Sequence, residues 1–135
     1  MKYEFNEFQK YENEFLRFSK GILKEKFYFL DGKKHGICET YFVNKPGFLS
    51  TKFNYSNGKK DGKSFCWNFN SEKNEYFLEY EIDYKDKKRH GNYIKYFDNG
   101  SIKILMKFDN GKSISERKEF LKNGEPVKML TFWNS

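Results

Sequence analysis

The sequence has little of several residue types, and each scarcity excludes a class of protein. Only 2 Cys, 2 Pro and 2 His occur among 135 residues. Two cysteines, Cys38 and Cys66, are too few for a disulfide framework. No apolar run approaches the length of a membrane span, and the start of the chain has no secretory signal. We therefore expect a cytoplasmic protein whose cysteines are reduced.

Aromatic side chains and positive charge are what the chain has in abundance. Aromatic residues are 21% of the chain, with 16 Phe, 10 Tyr and 2 Trp, although hydrophobic residues reach only 37%. Large rings bury much area each, so that even a thin structure can form a core. The net charge of +7 favours acidic partners such as nucleic acid, anionic lipid or an acidic protein. Lysine-rich turns that keep the protein soluble are the simpler explanation.

A tight-turn phrase of Asn or Asp, Gly and Lys recurs four times along the chain. It lies at residues 31–36, 57–62, 86–91 and 110–115, and the last two copies have lost glycines. A second glycine precedes three of these turns by eleven residues, as Gly21 precedes Gly32. Such recurring turns, with this constant eleven-residue separation, predict tandem β-hairpins.

Between the turns, apolar and polar positions alternate when the copies are aligned on Gly32, Gly58, Lys87 and Gly111. Two columns before the turn are apolar: Phe27, Phe53, Ile82 and Met106, then Phe29, Tyr55, Tyr84 and Phe108. Two columns after the turn are aromatic and amide: Tyr41, Trp67, Tyr96 and Phe120, then Asn44, Asn70, Asn99 and Asn123. A period of two predicts strands with one inward face, and the asparagines open return turns where Asn and Gly tolerate positive φ.

We predict one all-β domain over residues 1–135, a twisted antiparallel meander of nine or ten strands. Its hairpin repeats span about 18–132, and an irregular N-terminal cap spans about 1–17. Phe8, Tyr11, Phe15 and Phe18 have helical spacing, so a short N-terminal helix stays an alternative. The register of Phe15 favours instead a first strand near 10–18, with 1–9 left open. A last strand would carry Leu130 and Phe132.

The repeated pattern resembles the MORN-repeat variant and, in particular, the bacterial proteins grouped as YwqK-family antitoxins. An aromatic is followed by Asn/Asp-Gly-Lys-x-x-Gly, then by aromatics and Asn-Gly, and the best copies lie at 27–41 and 55–67. The resemblance covers roughly residues 18–132 and departs from the pattern at Lys87 and at 113–115. It implies an array of hairpins that acts as a binding or scaffolding module, here as an antitoxin.

No catalytic constellation is recognisable, so we predict a protein that is not an enzyme and needs no cofactor. The nucleophile elbow, the P-loop and the dinucleotide fingerprint are all missing. His35 and His90 precede turn glycines, where Asp61 stands in another copy, and without a co-spaced ligand cluster they are a weak metal set. Cys38 and Cys66 are not at equivalent repeat positions and have no activating base in the pattern.

Two candidate binding surfaces follow from the repeat. Stacked turns would line up a basic strip along one edge of the sheet: Lys33, Lys34, Lys59, Lys60, Lys87, Lys88, Arg89 and Lys112. The aromatic column of Tyr41, Trp67, Tyr96 and Phe120 would form a partner-binding face, unless it is core.

The first functional hypothesis is an antitoxin or immunity-type inhibitor that masks a partner toxin or enzyme. The alternative is a basic module or scaffold for nucleic acid or anionic lipid, which would bind with a steep dependence on salt. The inhibitor hypothesis expects Trp67→Ala or Tyr96→Ala to weaken binding, whereas lysine changes would mainly alter the association rate.

Overall fold

A computed structural model describes residues 5–11 and 13–127 as a single antiparallel sheet. Nine of its strands have six residues or more, and four have two. The strands are β1 (Phe5–Tyr11), β2 (Glu14–Ser19), β3 (Ile22–Leu30), β4 (Lys33–Lys34), β5 (Gly36–Tyr41), β6 (Leu49–Ser56), β7 (Lys59–Lys60), β8 (Gly62–Phe69), β9 (Tyr76–Lys85), β10 (Lys88–Tyr96), β11 (Ile102–Asp109), β12 (Lys112–Ser113) and β13 (Lys118–Glu119). The predicted all-β meander is confirmed.

Chain order and sheet order coincide, because each hairpin packs beside the one before it. The long strands follow one another as β1-β2-β3-β5-β6-β8-β9-β10-β11. The two-residue strands β4, β7 and β12 close tight turns by pairing with β3, β6 and β11, and β13 also pairs with β11. After the first two of these turns one residue, His35 or Asp61, separates the two-residue strand from the next long strand.

The N-terminal region is a hairpin and not a helix. β1 pairs with β2 through Lys10↔Phe15 and Tyr11↔Glu14, and β2 pairs in turn with β3. The strand expected near 10–18 is thus divided by a turn at Asn13, a residue type that favours turns. The helical alternative is wrong because Phe15 lies opposite Phe27 of β3, where the sheet supplies its partners. The expected positions of Leu130 and Phe132 fall outside the described residues.

All five buried side chains of the described chain lie on one side of the sheet, which we call the core face. Cross-strand pairs such as Cys38↔Phe53, Ser64↔Ile82 and Tyr93↔Met106 connect this face from strand to strand. Its buried members are Phe27, Cys38, Ser64, Ile104 and Phe108. Burying a side chain of the size of phenylalanine stabilises by about 2–3 kcal/mol. The two apolar columns found before the turns therefore lie on the core face, with Phe27 and Phe108 buried and Phe29 still 40% exposed.

The opposite side, which we call the charged face, is covered by ion pairs and tyrosines. Lys26 Nζ lies 3.8 Å from Glu14 Oε2 and 3.6 Å from Glu39 Oε1. Farther along, Lys63 Nζ lies 2.9 Å from Glu81 Oε2. Ion pairs that remain in contact with solvent, as these half-buried ones do, contribute only about 0–1 kcal/mol each, so the stability of the sheet comes mainly from the core face.

Candidate functional site

The tight turns stack along one edge of the sheet, which we call the turn edge. Both central residues of each turn have positive φ, as at Asp31 (52°) and Gly32 (78°), which is the geometry that suits a two-residue hairpin. A turn amide of each repeat donates to a carbonyl of the repeat before it. These turn-ladder bonds, each 2.8 Å long, are Gly58 N to Lys34 O, Lys87 N to Lys60 O, and Gly111 N to Arg89 O.

The two histidines belong to the structure of this edge. His90 Nδ1 accepts a hydrogen bond from the amide of Asn110 at 3.1 Å. Asp61 Oδ1, at the equivalent position, accepts from the amide of Asp86 at 3.4 Å. An imidazole nitrogen and a carboxylate oxygen can both supply this acceptor, which explains why His90 and Asp61 can occupy equivalent positions. The exposed His35 donates its own amide to Tyr28 O at 3.0 Å.

The predicted basic strip divides into two sets, since neighbouring residues of a strand point to opposite faces. Three of its cations lie over aromatic rings of the core face. Their distances to ring centroids are 5.3 and 5.4 Å for Lys34 (Phe27, Tyr55), 4.1 and 5.2 Å for Lys60 (Phe53, Tyr84), and 5.2 and 5.3 Å for Arg89 (Tyr93, Phe108). Each such contact contributes about 0.5–2 kcal/mol. Each of these three cations contacts rings on two different strands and so helps to hold the strands together.

The other cations of the strip are exposed: Lys33, Lys59, Lys87, Lys88 and Lys112. Lys33 packs its stem against Gly58, and Lys88 packs against Gly111, one turn farther along in each case. Lys59 Nζ pairs with Asp86 Oδ1 at 3.4 Å, whereas the other four make no ion pair with the described residues. The turn edge therefore exposes lysines in a row, with carboxylates such as Asp86 between them.

The return edge, at the opposite ends of the strands, is built differently. At 97–101 and 121–125 the chain forms the same short loop, closed by Phe97 N to Ser101 O and by Leu121 N to Glu125 O. In these two loops positive φ falls on Gly100 and Gly124, while the side chains of Asn99 and Asn123 accept backbone hydrogen bonds. Asn99 Oδ1, for example, accepts from the amide of Ser101 at 3.0 Å.

The aromatic residues predicted to bind a partner are half-buried and do not form one patch. Tyr41, Trp67 and Tyr96 each stand at a register shift of the sheet. The hydroxyl of Tyr41 donates to Glu39 Oε1 at 3.2 Å, and burial together with Glu39 raises the pKa of Tyr41 to about 12. Tyr96 makes the corresponding bond to Glu81 and has its pKa raised in the same direction, chiefly by burial. Phe120 lies apart, bridged to Pro126.

Trp67 alone joins a larger group of rings, which we call the aromatic cluster: Phe42, Phe48, Trp67, Phe69 and Tyr76. Ring centroids are 5.2 Å apart for Phe42–Phe69, 5.3 Å for Phe48–Phe69, 5.0 Å for Phe48–Tyr76, 5.1 Å for Phe69–Tyr76 and 6.4 Å for Trp67–Tyr76.

The aromatic cluster is open to solvent but firmly held. Phe48 is 44% exposed and Tyr76 36%, and the neighbouring Val43 is 54% exposed. The hydroxyl of Tyr76 donates to Leu49 O at 2.5 Å, which ties β9 to the start of β6. Lys45 Nζ lies 5.1 Å from the centroid of Phe69. The result is a preorganised apolar surface with a cation beside it.

Four members of the cluster escaped prediction because they lie outside the repeated columns. The return loops at 42–48 and 70–75 are longer than the loop at 97–101, and the added residues bring in Phe48 and set Tyr76 beside it. The sequence did carry a signal for these longer loops. The separations from Tyr41 to Leu49 and from Trp67 to Leu78 are both longer than the separation from Tyr96 to Ile102.

The surroundings of the two cysteines do not activate them as nucleophiles, because the effect of burial outweighs that of the nearby Lys34 or Lys60. Both thiols are free, and burial raises the pKa of Cys38 and of Cys66. A thiol in such a place is less readily ionised and less reactive. Over residues 5–11 and 13–127, no three His, Cys, Asp or Glu side chains gather into a group that could hold a metal ion.

Comparison with known proteins gives no relative: no family model, no curated protein and no solved structure matches the chain. None of the described residues forms a helix that is long and apolar enough to span a membrane.

Proposed function

We propose that the chain is a non-catalytic protein-binding module whose contact surface is the aromatic cluster. The observation that carries the proposal is the exposure of Phe48 and Tyr76 at the centre of a ring cluster that internal contacts already hold in place. Aromatic residues are enriched at the centres of protein interfaces, where they dominate the binding energy. A surface ordered before binding also loses little entropy when the partner docks.

The narrower proposal is that the partner is a toxin or another enzyme, which the chain inhibits in the cytoplasm by covering its active surface. The resemblance to the YwqK-family antitoxins supports this choice of partner, and the free thiols of Cys38 and Cys66 suit a reducing compartment. Because the net charge is +7, we expect the partner to present an acidic rim around an apolar centre.

The test is affinity purification of the tagged protein from its native cells, with and without nuclease. The proposal expects a discrete protein that stays bound after nuclease treatment and at moderate salt, and an enzymatic activity of that protein that the chain suppresses. If the bound material disappears with nuclease or with salt, the basic strip is the working surface, and the antitoxin proposal is withdrawn.

A pair of matched variants then locates the surface. Phe48→Ala should weaken binding of the captured partner by roughly thirtyfold, as expected when a central interface aromatic is truncated. Leu30→Ala is the control, since Leu30 is 53% exposed but lies at the turn edge, and it should change affinity less than twofold. Equal losses in the two variants would show that the aromatic cluster is not the contact surface.

A further inference from the structure

The third tight turn differs in chemistry from the other tight turns. Its residues 85–89 read Lys-Asp-Lys-Lys-Arg, so four of five side chains are cationic. We call this segment the basic turn. Arg89 is exposed but directed onto the rings of Tyr93 and Phe108, and the exposed Lys85, Lys87 and Lys88 make no ion pair with the described residues. Three uncompensated positive charges are thus held within one two-residue hairpin.

The backbone of the basic turn is strained for the residue that it carries. Lys87 has φ of 77°, in the left-handed region that disfavours any residue with a β-carbon. The equivalent residue of the other three tight turns is Gly32, Gly58 or Gly111, which adopt this conformation freely. A lysine at this position is unfavourable for the fold and places a charge at the tip of the turn.

The same turn also opposes like charges. Lys85 and Lys88 are direct cross-strand partners, an arrangement that destabilises a sheet unless an anion lies between or beside the two ammonium groups. The carboxylate of Asp86, inside the turn, lies 3.4 Å from Lys59 Nζ, and no described carboxylate forms an ion pair with Lys85 or Lys88. Strain and repulsion therefore coincide in one hairpin, as is typical where a sequence departs from local stability rules for the sake of a function.

We propose that the basic turn is the centre of a binding site for the phosphate backbone of a nucleic acid. The site extends along the turn edge, because Lys33, Lys59, Lys88 and Lys112 occupy equivalent places in successive turns. Two strands separate each turn from the next, which spaces these lysines by about 10 Å. A single row of this kind suits a linear polyanion, whereas a membrane surface would require charge spread over a plane. This site is separate from the aromatic cluster.

The experiment measures fluorescence anisotropy of a labelled 20-residue oligothymidylate against salt concentration. With about five phosphate contacts, the logarithm of the binding constant should fall with the logarithm of salt at a slope of about −3.5. Lys85→Glu/Lys88→Glu should weaken binding at least roughly tenfold and reduce the slope by about 1.4. The matched control, Lys73→Glu/Lys118→Glu, makes the same charge change on exposed lysines away from the basic turn and should cost less than about threefold.

The variant Lys87→Gly distinguishes a binding role of the basic turn from a purely structural role. Removal of the strained lysine should raise the melting temperature of the protein and at the same time weaken oligonucleotide binding about threefold. Unchanged binding in this variant, or equal losses in the two charge-reversal pairs, would overturn the proposal. It would also be overturned if a labelled polyglutamate of equal length, or vesicles with anionic lipid, bound more tightly than the oligonucleotide at the same salt.

Discussion

The two edges of the sheet carry turns of very different regularity. At the turn edge, the hairpins share one conformation and are joined by hydrogen bonds of a single length, as from Gly58 N to Lys34 O and from Gly111 N to Arg89 O. At the return edge, the loops at 42–48 and 70–75 differ in length from those at 97–101 and 121–125. Local residue preferences determine the conformation of the turns at the turn edge. The loops at the return edge can vary in length and can form a surface that is particular to this chain.

The largest expected effect comes from glycine substitution at the turn edge. Gly91 has φ of 109°, and an added β-carbon would lie 2.7 Å from Asp83 Oδ2. Moving the Asp83 side chain away would break the hydrogen bond that the same oxygen accepts from the amide of Asn92 at 2.9 Å. Gly91→Ala should therefore lower the free energy of unfolding by roughly 3 kcal/mol. This is checked by urea denaturation.

The matched change at the return edge is Gly100→Ala. Gly100 has φ of 90° but open space around its α-carbon, so only backbone strain is added, at roughly 1 kcal/mol. If the two alanine variants lost equal stability, the turn edge would be no more tightly packed than the return edge.

A smaller effect of opposite sign is expected at one of the positive-φ positions that lack glycine, Lys87, with Asn74 as its comparison. Lys87→Gly should stabilise the fold by about 1 kcal/mol, because it removes the cost of a left-handed lysine. Asn74, with φ of 56° in the return loop at 70–75, is of a type that tolerates this conformation, so Asn74→Gly should change stability by less than about 0.5 kcal/mol. Thermal unfolding of both variants measures the difference; a larger gain at Asn74 would contradict it.

The smallest effect concerns a carboxylate that ties the turn edge to the sheet. Burial alone would raise the pKa of Glu25, but hydrogen bonds from Arg17 at 3.0 Å and Lys34 at 3.2 Å outweigh it and hold the pKa below its ordinary value of 4.5. Because the folded pKa is lowered, this contribution to stability is fully present above pH 4.5 and is lost as the pH falls through the folded value.

The comparison with Glu25→Gln isolates this contribution. The difference in unfolding free energy between the wild-type protein and this variant should shrink between pH 6 and pH 3. A difference that stayed constant across this range would show that protonation of Glu25 is not linked to folding.

The sequence predicted those features that recur, and for a physical reason. Phe27 and Phe53 fall into one column because the side chains of every strand in a meander alternate between the same two faces. An apolar residue at every second position therefore identifies the core face. The tight turns were equally readable, since few residues other than Asn, Asp and Gly adopt two successive positive φ values. The fold class follows from these two facts.

What escaped prediction depends on neighbours that no local pattern encodes. The turn at Asn13 is defined by the pairing of β1 with β2, and β2 pairs in turn with β3. The spacing of Phe8, Tyr11, Phe15 and Phe18 suits a helix when these partners are unknown. In the same way, Phe48 and Tyr76 come together only because two loops of irregular length meet beside Trp67.

Because the turn-ladder bonds join each hairpin to the next, the molecule is an array in which each hairpin contacts its immediate neighbours. Gly58 N donates to Lys34 O and Gly111 N donates to Arg89 O, and among the described residues no hydrogen bond skips a repeat. Stability in such an array is approximately a sum of terms from adjacent units. A damaged hairpin should therefore open locally, and whole hairpins could be gained or lost in evolution without redesign of the others. Amide hydrogen exchange would then be slowest in the middle of the array and fastest at its two ends.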